Sequence, residues 1–306
     1  MGEGWRALAG GTDLLGLMKR GLAAPERLVS LREVEGLGGI ERRKDGWFIG
    51  AMTPLSELSE GCPDASEGHL AALSEAAGGS ASPQLRNAAT LGGNLLQRPR
   101  CWYYRNPEIR CWLKGGERCY ASSGRNAYHA IMEGGPCHAV HPSDPAVALL
   151  GLDAEVEITG RGGANRMAIE AFFSGPRRTA RSETALREDE LVTGVFVPET
   201  GRPLRAAYVK VSERAAWDFA LVSAAASFLL EGGAVSRARI ALGGVAPVPL
   251  RARRAEELLE GGRLSTEAVE AAAEAATAAA KPLADNGYKV QLTKAVVRKV
   301  LSRARG

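Results

Sequence analysis

Short apolar segments separated by glycine and polar turns fill the first half of the chain. Some carry strand-forming residues in short runs, and others repeat their apolar positions at helical spacing. Strands are predicted at 5–9, 27–31, 39–43 and 47–51, and helices at 14–18, 54–60 and 69–77. Small elements that alternate in this way are typical of a mixed α+β domain.

The second half contains longer elements. Ser143, with Asp144 and Pro145 behind it, forms an N-cap that opens a helix through residue 150. Strands are predicted at 154–159, 191–198, 206–212, 220–230 and 235–242, and helices at 250–260, 266–280 and 290–303. The last two strands are joined through two glycines as a hairpin, and the turn-rich residues 200–203 mark a domain boundary.

Length and charge restrict the function classes. A chain of 306 residues exceeds the roughly 100 to 200 residues of one domain, so we expect two or three domains. The formal charge of +4 is small and diffuse, which disfavours nucleic acid as a partner. No apolar run approaches the ~20 residues of a membrane span, and no secretion signal opens the chain. We therefore expect a cytoplasmic protein, which reaches the periplasm only with an exported, signal-bearing partner.

Four of the five cysteines lie in one tract rich in tryptophan, tyrosine and arginine: Cys101, Cys111, Cys119 and Cys137. In a reducing compartment such a cluster favours metal ligation over disulfides. The steps of 10, 8 and 18 residues lack the short Cys-x₂₋₄-Cys knuckle that is usual in structural zinc sites. Spacing alone leaves an iron–sulfur cluster, zinc and free buried thiols open, and His129, His138 or His141 lies close enough in sequence to replace a cysteine ligand.

Two glycine turns carry the second chemical signal. The first glycine turn is Gly10-Gly11-Thr12-Asp13, and the second is Thr90-Leu91-Gly92-Gly93-Asn94. Paired glycines allow backbone amides to approach an anion, and the polar residues beside them add side-chain hydrogen bonds. Two turns of the same form, each after a predicted strand, indicate two halves of one pyrophosphate cradle. No P-loop pattern occurs, and the near-match to a dinucleotide fingerprint at residues 2–7 lacks a preceding strand.

Several segments, in consistent order, resemble the FAD-binding subunit of the molybdenum hydroxylases. These segments are Leu8-Ala-Gly-Gly-Thr-Asp-Leu-Leu15, Ser82-Pro-Gln-Leu-Arg-Asn-Ala-Ala-Thr-Leu-Gly-Gly-Asn-Leu-Leu-Gln97, His141-Pro-Ser-Asp144, Phe172-Phe173-Ser-Gly, Asp189-Glu190-Leu191, Tyr208-Val-Lys210 and Asn286-Gly-Tyr-Lys289. The family includes xanthine dehydrogenase, carbon monoxide dehydrogenase and 4-hydroxybenzoyl-CoA reductase relatives. The resemblance implies an α+β fold of the vanillyl-alcohol-oxidase (PCMH) type.

That fold would divide the chain into an FAD-binding domain at 1–199 and a C-terminal domain of antiparallel strands and helices at 200–306. The first lobe of the FAD domain would span about 1–52 and the second about 53–199, with a cysteine insertion at about 97–138. The resemblance implies FAD contacts at Ala9, Gly10, Gly11, Thr12, Asp13, Leu14, Thr90, Gly92, Gly93, Asn94, Asp144, Leu191 and Lys210. Without the resemblance, Asp144 could simply cap a helix, and Lys210 could face water.

The cysteine insertion is similar to that of a periplasmic aldehyde-oxidoreductase type, which binds a [4Fe-4S] cluster. The resemblance therefore implies Cys101, Cys111, Cys119 and Cys137 as cluster ligands. It also implies an electron-transfer subunit that works with a [2Fe-2S] small subunit and a molybdopterin large subunit. NAD, quinone, ferredoxin and oxygen are candidate acceptors. The alternatives are a zinc module that binds nucleic acid, with structural glycine turns, and an FAD subunit without a cluster.

The chain departs from the family pattern at its start. Family members have a further strand and helix ahead of the first glycine turn, whereas this sequence begins close to that turn. We expect either a start further upstream or a trimmed first lobe, and the contacts to adenine are the ones affected.

Overall fold

The computed structural model describes residues 3–63, 68–176 and 181–306. Within these ranges the strands form a parallel pair, a five-stranded antiparallel sheet and a four-stranded antiparallel sheet. No helix in the same ranges combines the length and the apolar character that crossing a membrane requires.

The parallel pair opens the chain as a β-α-β unit. Strand β1 (Glu3–Leu8) pairs with β2 (Pro25–Ser30), and helix α1 (Leu14–Lys19) crosses between them. Parallel neighbours need such a crossover because a tight turn can only return the chain in the opposite direction. Gly11, between β1 and α1, has a φ of +72°, a conformation that glycine adopts with little strain.

The five-stranded sheet has the spatial order β3-β4-β7-β5-β6. Its strands are β3 (Ile40–Arg43), β4 (Gly46–Gly50), β5 (Glu155–Gly160), β6 (Gly163–Ala168) and β7 (Leu191–Pro198). Because β4 pairs with β7, the chain enters this sheet at residue 40, ahead of the lobe boundary expected near residue 52.

The helices between residues 55 and 172 are α2 (Leu55–Glu60), α3 (Ala71–Gly78), α4 (Pro83–Ala88), α5 (Leu91–Leu95), α6 (Trp102–Arg105), α7 (Asp144–Gly151) and α8 (Ile169–Phe172). All residues of α7 are buried, because this helix packs between α3 and the C-terminal sheet. Helix α7 therefore lies at the centre of the largest hydrophobic core.

The C-terminal part contains β8 (Arg205–Val211), β9 (Val222–Glu231), β10 (Ala234–Gly243), β11 (Leu250–Arg251), α9 (Arg253–Leu259), α10 (Thr266–Thr277) and α11 (Tyr288–Arg305). Gly232 and Gly233 both have positive φ values, +59° and +87°, as the tight turn between β9 and β10 requires. The helices cover the outer face of the sheet and bury a second core.

The cysteine insertion (residues 97–138) has little regular structure. Within this segment, which is fully described, the regular elements are α6 and two 3₁₀ turns, Trp112–Lys114 and Tyr120–Ser122. Its buried side chains form a small core of their own with Leu17 of α1. The insertion therefore packs against the first β-α-β unit rather than standing free.

Most predicted elements are confirmed, with two corrections. Residues 91–95 form helix α5 rather than an open turn, because the Thr90 side chain caps them. The helix predicted at 250–260 begins only at Arg253, since Leu250 and Arg251 extend the sheet beside β10. Helices α4, α6 and α8 and strand β6 were not predicted; β6 is largely exposed and lacks an apolar alternation.

Candidate functional site

The two glycine turns lie against each other. A Cβ atom on Gly10 would lie 1.7 Å from the Ala88 carbonyl oxygen, so only glycine allows this approach. A Cβ on Gly93 would lie 3.9 Å from the Cβ of Ala9, which is ordinary van der Waals contact. The structure thus brings together the two turns that the sequence predicts to be halves of one cradle.

The backbone amides of the second turn are already used inside the protein. The Gly93 amide donates to Thr90 Oγ1 at 3.2 Å, and the Gly92 amide donates to the Ala51 carbonyl at 2.8 Å. In the first turn it is the carbonyl groups that accept from the amides of α1. An anion between the turns would therefore meet the amides of the first turn and the side chains of Thr90 and Asn94.

Asp144 and Lys210 form a buried ion pair. Lys210 Nζ lies 2.8 Å from Asp144 Oδ2, and the Tyr208 hydroxyl donates to Asp144 Oδ1 at 2.7 Å. Lys210 also donates to the carbonyls of Gly79 and Asp218 at 2.9 and 2.7 Å. The lysine therefore does not face water. Burial and the Asp144 carboxylate raise the pKa of Tyr208, so its hydroxyl keeps its proton.

Ser143 connects the second glycine turn to helix α7. Its Oγ accepts from the Ala146 amide at 3.0 Å, which confirms it as the N-cap and leaves Asp144 free of that task. The same hydroxyl donates to Asn94 Oδ1 at 2.5 Å. Asn94 and Asp144 are thereby held on neighbouring elements.

A cavity of about 300 Å³ opens beside Asp144. It lies between α7, the start of β9 and the cysteine insertion. Its walls include Val147, Asp218, Phe219, Leu221, Trp102 and His129. Leu14, at the start of α1, and Leu191, opposite Thr159 at the start of β7, are not among the described residues that line it.

Asp13 contacts the cysteine insertion. Its carboxylate accepts from the Arg98 amide at 2.8 Å, from Arg100 Nη1 at 2.5 Å and from Arg105 Nη2 at 2.8 Å. Burial acts to raise the pKa of Asp13, but the nearby arginines and the hydrogen bonds outweigh it and lower the pKa. These contacts link the first glycine turn to the cysteine insertion.

The four cysteines of the insertion line one small cavity. Cys101, Cys111, Cys119 and Cys137 are free thiols that share its wall with aromatic side chains. Among the described residues, no group of three or more histidine, cysteine, aspartate or glutamate side chains is placed to hold a metal ion. A zinc ion would need thiolates about 3.8 Å apart, from tetrahedral bonds of about 2.3 Å. A cluster binds each thiolate on a separate iron and therefore spaces the thiolates more widely.

Cys119 and Cys137 contact each other directly. The hydrogen bond between their side chains lowers the pKa of Cys119 to about 5 and raises that of Cys137. Burial raises the pKa of Cys101 to about 11. The Cys101 thiol therefore keeps its proton at pH 7.

His129 connects the larger cavity with the cysteine cavity. Its Nε2 lies 3.2 Å from Cys101 Sγ, and its ring packs edge-on against Trp102 with centroids 5.1 Å apart. Burial, and then the charge of Lys289, lower the pKa of His129 to about 4. The imidazole is therefore neutral at pH 7.

Sequence reasoning missed the roles of Tyr208, Arg100 and His129. Tyr208 and Lys210 are two positions apart on β8, so strand alternation could have placed both on one face. The contact of Arg100 with Asp13 and that of His129 with Cys101 join residues far apart in irregular segments. The spacing of apolar and polar residues along the sequence does not predict such contacts.

Two protein-family descriptions match the chain. Residues 2–200 match an FAD binding domain in molybdopterin dehydrogenase, and residues 207–304 match a CO dehydrogenase flavoprotein C-terminal domain.

The chain is also similar to individual FAD-binding subunits and medium chains. The aldehyde oxidoreductase FAD-binding subunit PaoB of Escherichia coli (strain K12) is 38% identical, with 99% of this chain and 92% of that protein covered. The carbon monoxide dehydrogenase medium chain of Hydrogenophaga pseudoflava is 29% identical, with 99% and 90% covered. A solved carbon monoxide dehydrogenase structure from that organism superposes with a TM-score of 0.77 at 29% identity, covering 98% of this chain and 89% of that one.

Proposed function

The chain belongs to the family of FAD-binding subunits of molybdopterin dehydrogenases, and on this premise we propose that it transfers electrons between a molybdopterin-containing partner and an external acceptor. The fold is the α+β, PCMH-type FAD-binding fold that the sequence predicts. FAD, when bound, accepts two electrons and can release them singly, which suits a connection between two-electron and one-electron centres. We propose domains at 1–199 and 200–306, with the first lobe ending before β3.

The glycine turns fit the pyrophosphate of FAD. The close approach at Gly10 aligns the first turn with the second, and the amides of Gly11 and Thr12 are assigned to the phosphate oxygens. The side chains of Thr90 and Asn94 complete the cradle. The amides of Gly92 and Gly93 hold the second turn in shape, since they donate within the protein.

The cavity beside Asp144 is assigned to the flavin end of FAD. Asp144 and Lys210 form its polar wall, while Val147, Leu221 and Phe219 give it an apolar surface. Tyr208 and Lys210 fix the carboxylate of Asp144, so that it presents one orientation to the cofactor. In this assignment Asp13 also positions the insertion, through its contacts with Arg100 and Arg105.

The donor set of the insertion fits a [4Fe-4S] cluster. Four cysteines line one cavity with aromatic walls, and such thiolate donors are the ligands of these clusters. Cys101, Cys111, Cys119 and Cys137 would hold the cluster, which supplies one-electron transfer when bound. The same four residues would therefore add a further redox centre to the FAD subunit.

The observation that carries the proposal is the wall between the two cavities. Cys101 and Ala139 line both the cavity beside Asp144 and the cavity of the four cysteines. A flavin and a cluster in these places would be separated by a single layer of side chains. The basic, aromatic insertion is then suited to pass electrons to or from a partner.

The relatives are named as an FAD-binding subunit and a medium chain, which supports an assembly of several subunits. We propose a [2Fe-2S] small subunit and a molybdopterin large subunit as partners, and NAD, quinone or ferredoxin as acceptor. We also propose a cytoplasmic location, or a periplasmic one if a signal-bearing partner exports the complex. The large subunit would choose the substrate.

Anaerobic purification of the full chain tests the proposal. We expect flavin absorbance that a reductant bleaches, together with about four irons per chain. Replacement of Cys111 by serine should remove iron and leave FAD bound, whereas the same change at Cys62, outside the insertion, should keep both. A colourless zinc protein would contradict the proposal. FAD without iron would contradict the cluster and support only the proposed binding of FAD.

A further inference from the structure

His129 occupies the wall between the two cavities and contacts both sides. It lines the larger cavity, and its Nε2 lies 3.2 Å from the sulfur of Cys101. Cys101 is the one cysteine of the four that lines both cavities among the described residues. The contact between His129 and Cys101 therefore joins a polar group of the larger cavity to a thiol of the cysteine cavity.

The hydrogen-bond partners of the ring decide its tautomer. Nδ1 is buried and has no partner within the described residues, whereas Nε2 faces sulfur. A proton on Nδ1 would bury an unpaired donor, which is costlier than leaving an unpaired ring lone pair. A proton on Nε2 gives an N–H···S hydrogen bond to Cys101 and is the favoured form when Cys101 is a thiolate.

The backbone on either side of His129 is fixed from the C-terminal part. Asn286 Nδ2 donates to the carbonyls of His129 and Ala130 at 3.1 and 3.2 Å. Lys289 Nζ, fully buried at the start of α11, donates to the Tyr128 carbonyl at 3.0 Å and to the Gly244 carbonyl at 2.7 Å. The backbone that carries the imidazole is therefore held by Asn286 and Lys289, which line neither cavity.

We propose that His129 is a positioning residue that tunes electron transfer between flavin and cluster, by donating a hydrogen bond from Nε2 to the Cys101 thiolate. This inference rests on the proposed function, since it needs both cofactors. In each transfer the group in one cavity loses one electron and the group in the other gains one, while the Nε2 proton stays on His129. The hydrogen bond stabilises the added negative charge on sulfur, so it raises the reduction potential of the cluster.

The potential of the cluster, measured by anaerobic EPR-monitored redox titration of the full chain loaded with FAD and iron, tests this role. We expect His129→Leu to lower the reduction equilibrium constant about tenfold, which is about 59 mV for a one-electron couple. His129→Gln, which can still donate a hydrogen bond, should restore most of the difference. Tyr288→Phe removes a hydrogen bond to the neighbouring Ala127 carbonyl and should leave the potential unchanged.

The outcomes separate the two claims. If the unaltered protein contains no cluster, the cluster part of the proposed function fails. If the cluster is present and His129→Leu leaves its potential unchanged, or if Tyr288→Phe shifts it equally, the role of His129 fails while the proposed function stands. If His129→Leu loses iron, retention of iron by His129→Gln supports the hydrogen bond, and loss from both variants overturns it.

Discussion

The C-terminal sheet and the cysteine insertion are both buried against the rest of the chain, but different interactions hold them. Strands β8, β9 and β10 form continuous backbone ladders and enclose apolar residues such as Phe228. The insertion has short helical turns only, and side chains such as Asp13, Asn286 and Arg181 hold it by hydrogen bonds to its backbone and its arginines. The sheet is stable through many equivalent contacts, whereas the insertion depends on a few specific ones.

This contrast has a functional reason. In the proposed function the insertion would wrap four thiols around a cluster, and irregular backbone suits this because neighbouring side chains of a strand point to opposite faces. The four cysteines instead lie on irregular backbone whose position is set by charged anchors. Mutations should therefore affect the two regions unequally, and three changes measure the difference.

The largest effect on stability is expected in the sheet. Phe228 is fully buried, so Phe228→Ala leaves a cavity and should lower the free energy of unfolding by about 3–5 kcal/mol, measured by urea denaturation. Leu230→Ala, at an exposed position of the same strand, should cost less than about 1 kcal/mol. Trp112→Ala should mainly loosen the insertion in hydrogen exchange. If Phe228→Ala and Trp112→Ala lowered the global free energy of unfolding equally, the contrast between the sheet and the insertion would be wrong.

The second effect concerns the anchor of the insertion. Asp13→Asn leaves Arg100 and Arg105 without their carboxylate and should cost about 2–3 kcal/mol, since these groups are only partly exposed. Because the pKa of Asp13 is lowered in the folded state, its contribution is present above its usual pKa and is lost as pH falls through the lowered one. Denaturation of both proteins from pH 7 down to pH 3 measures this, with the exposed Glu41→Gln as the control.

An unchanged stability of Asp13→Asn at pH 7 would show that the insertion is held elsewhere. Faster proteolysis within residues 97–138, with α11 still protected, would locate the damage in the insertion as expected.

The smallest effect lies where the two regions meet. Burial lowers the pKa of Lys289 to about 7, so between that value and its usual 10.5 the unfolded chain binds more protons than the folded one. The free energy of unfolding should therefore rise with pH by roughly 1 kcal/mol per unit above pH 7, and Lys289→Met should lack this rise. Denaturation at pH 7.5 and 9.0 compares them, with the exposed Lys44→Met behaving like the unaltered protein. If the free energy of unfolding of Lys289→Met and Lys44→Met changed equally with pH, the burial of the Lys289 charge would be contradicted.

The sequence predicts the sheet and its helices well because periodic apolar positions determine them. The hairpin between β9 and β10 follows from the alternation of apolar residues and the two glycines. Helix α5 was misread because glycine pairs usually mark turns, and only the Thr90 cap reveals the helix. The cofactor assignments from the resemblance stay predictions, apart from FAD binding as a property of the family.

The geometry of the site was harder to predict. Asp144 and Lys210 were each named from a motif, but their ion pair depends on how α7 packs against the C-terminal sheet. Asp13 was named as an FAD contact, which stays a prediction. Its contacts with Arg100 and Arg105 were missed, because these arginines lie in an insertion that the glycine-turn motif does not include. Contacts between irregular segments depend on tertiary packing, which local patterns do not encode.

The close approach at Gly10 has a consequence for mutational scanning. Any side chain there would collide with the Ala88 carbonyl, whether or not a cofactor is present. A library selected only for folded protein should therefore keep glycine at this position as strictly as one selected for activity. Intolerance at Gly10 reports the architecture of the chain, whereas intolerance at Thr90 or Asn94 that appears only under selection for activity would report the ligand.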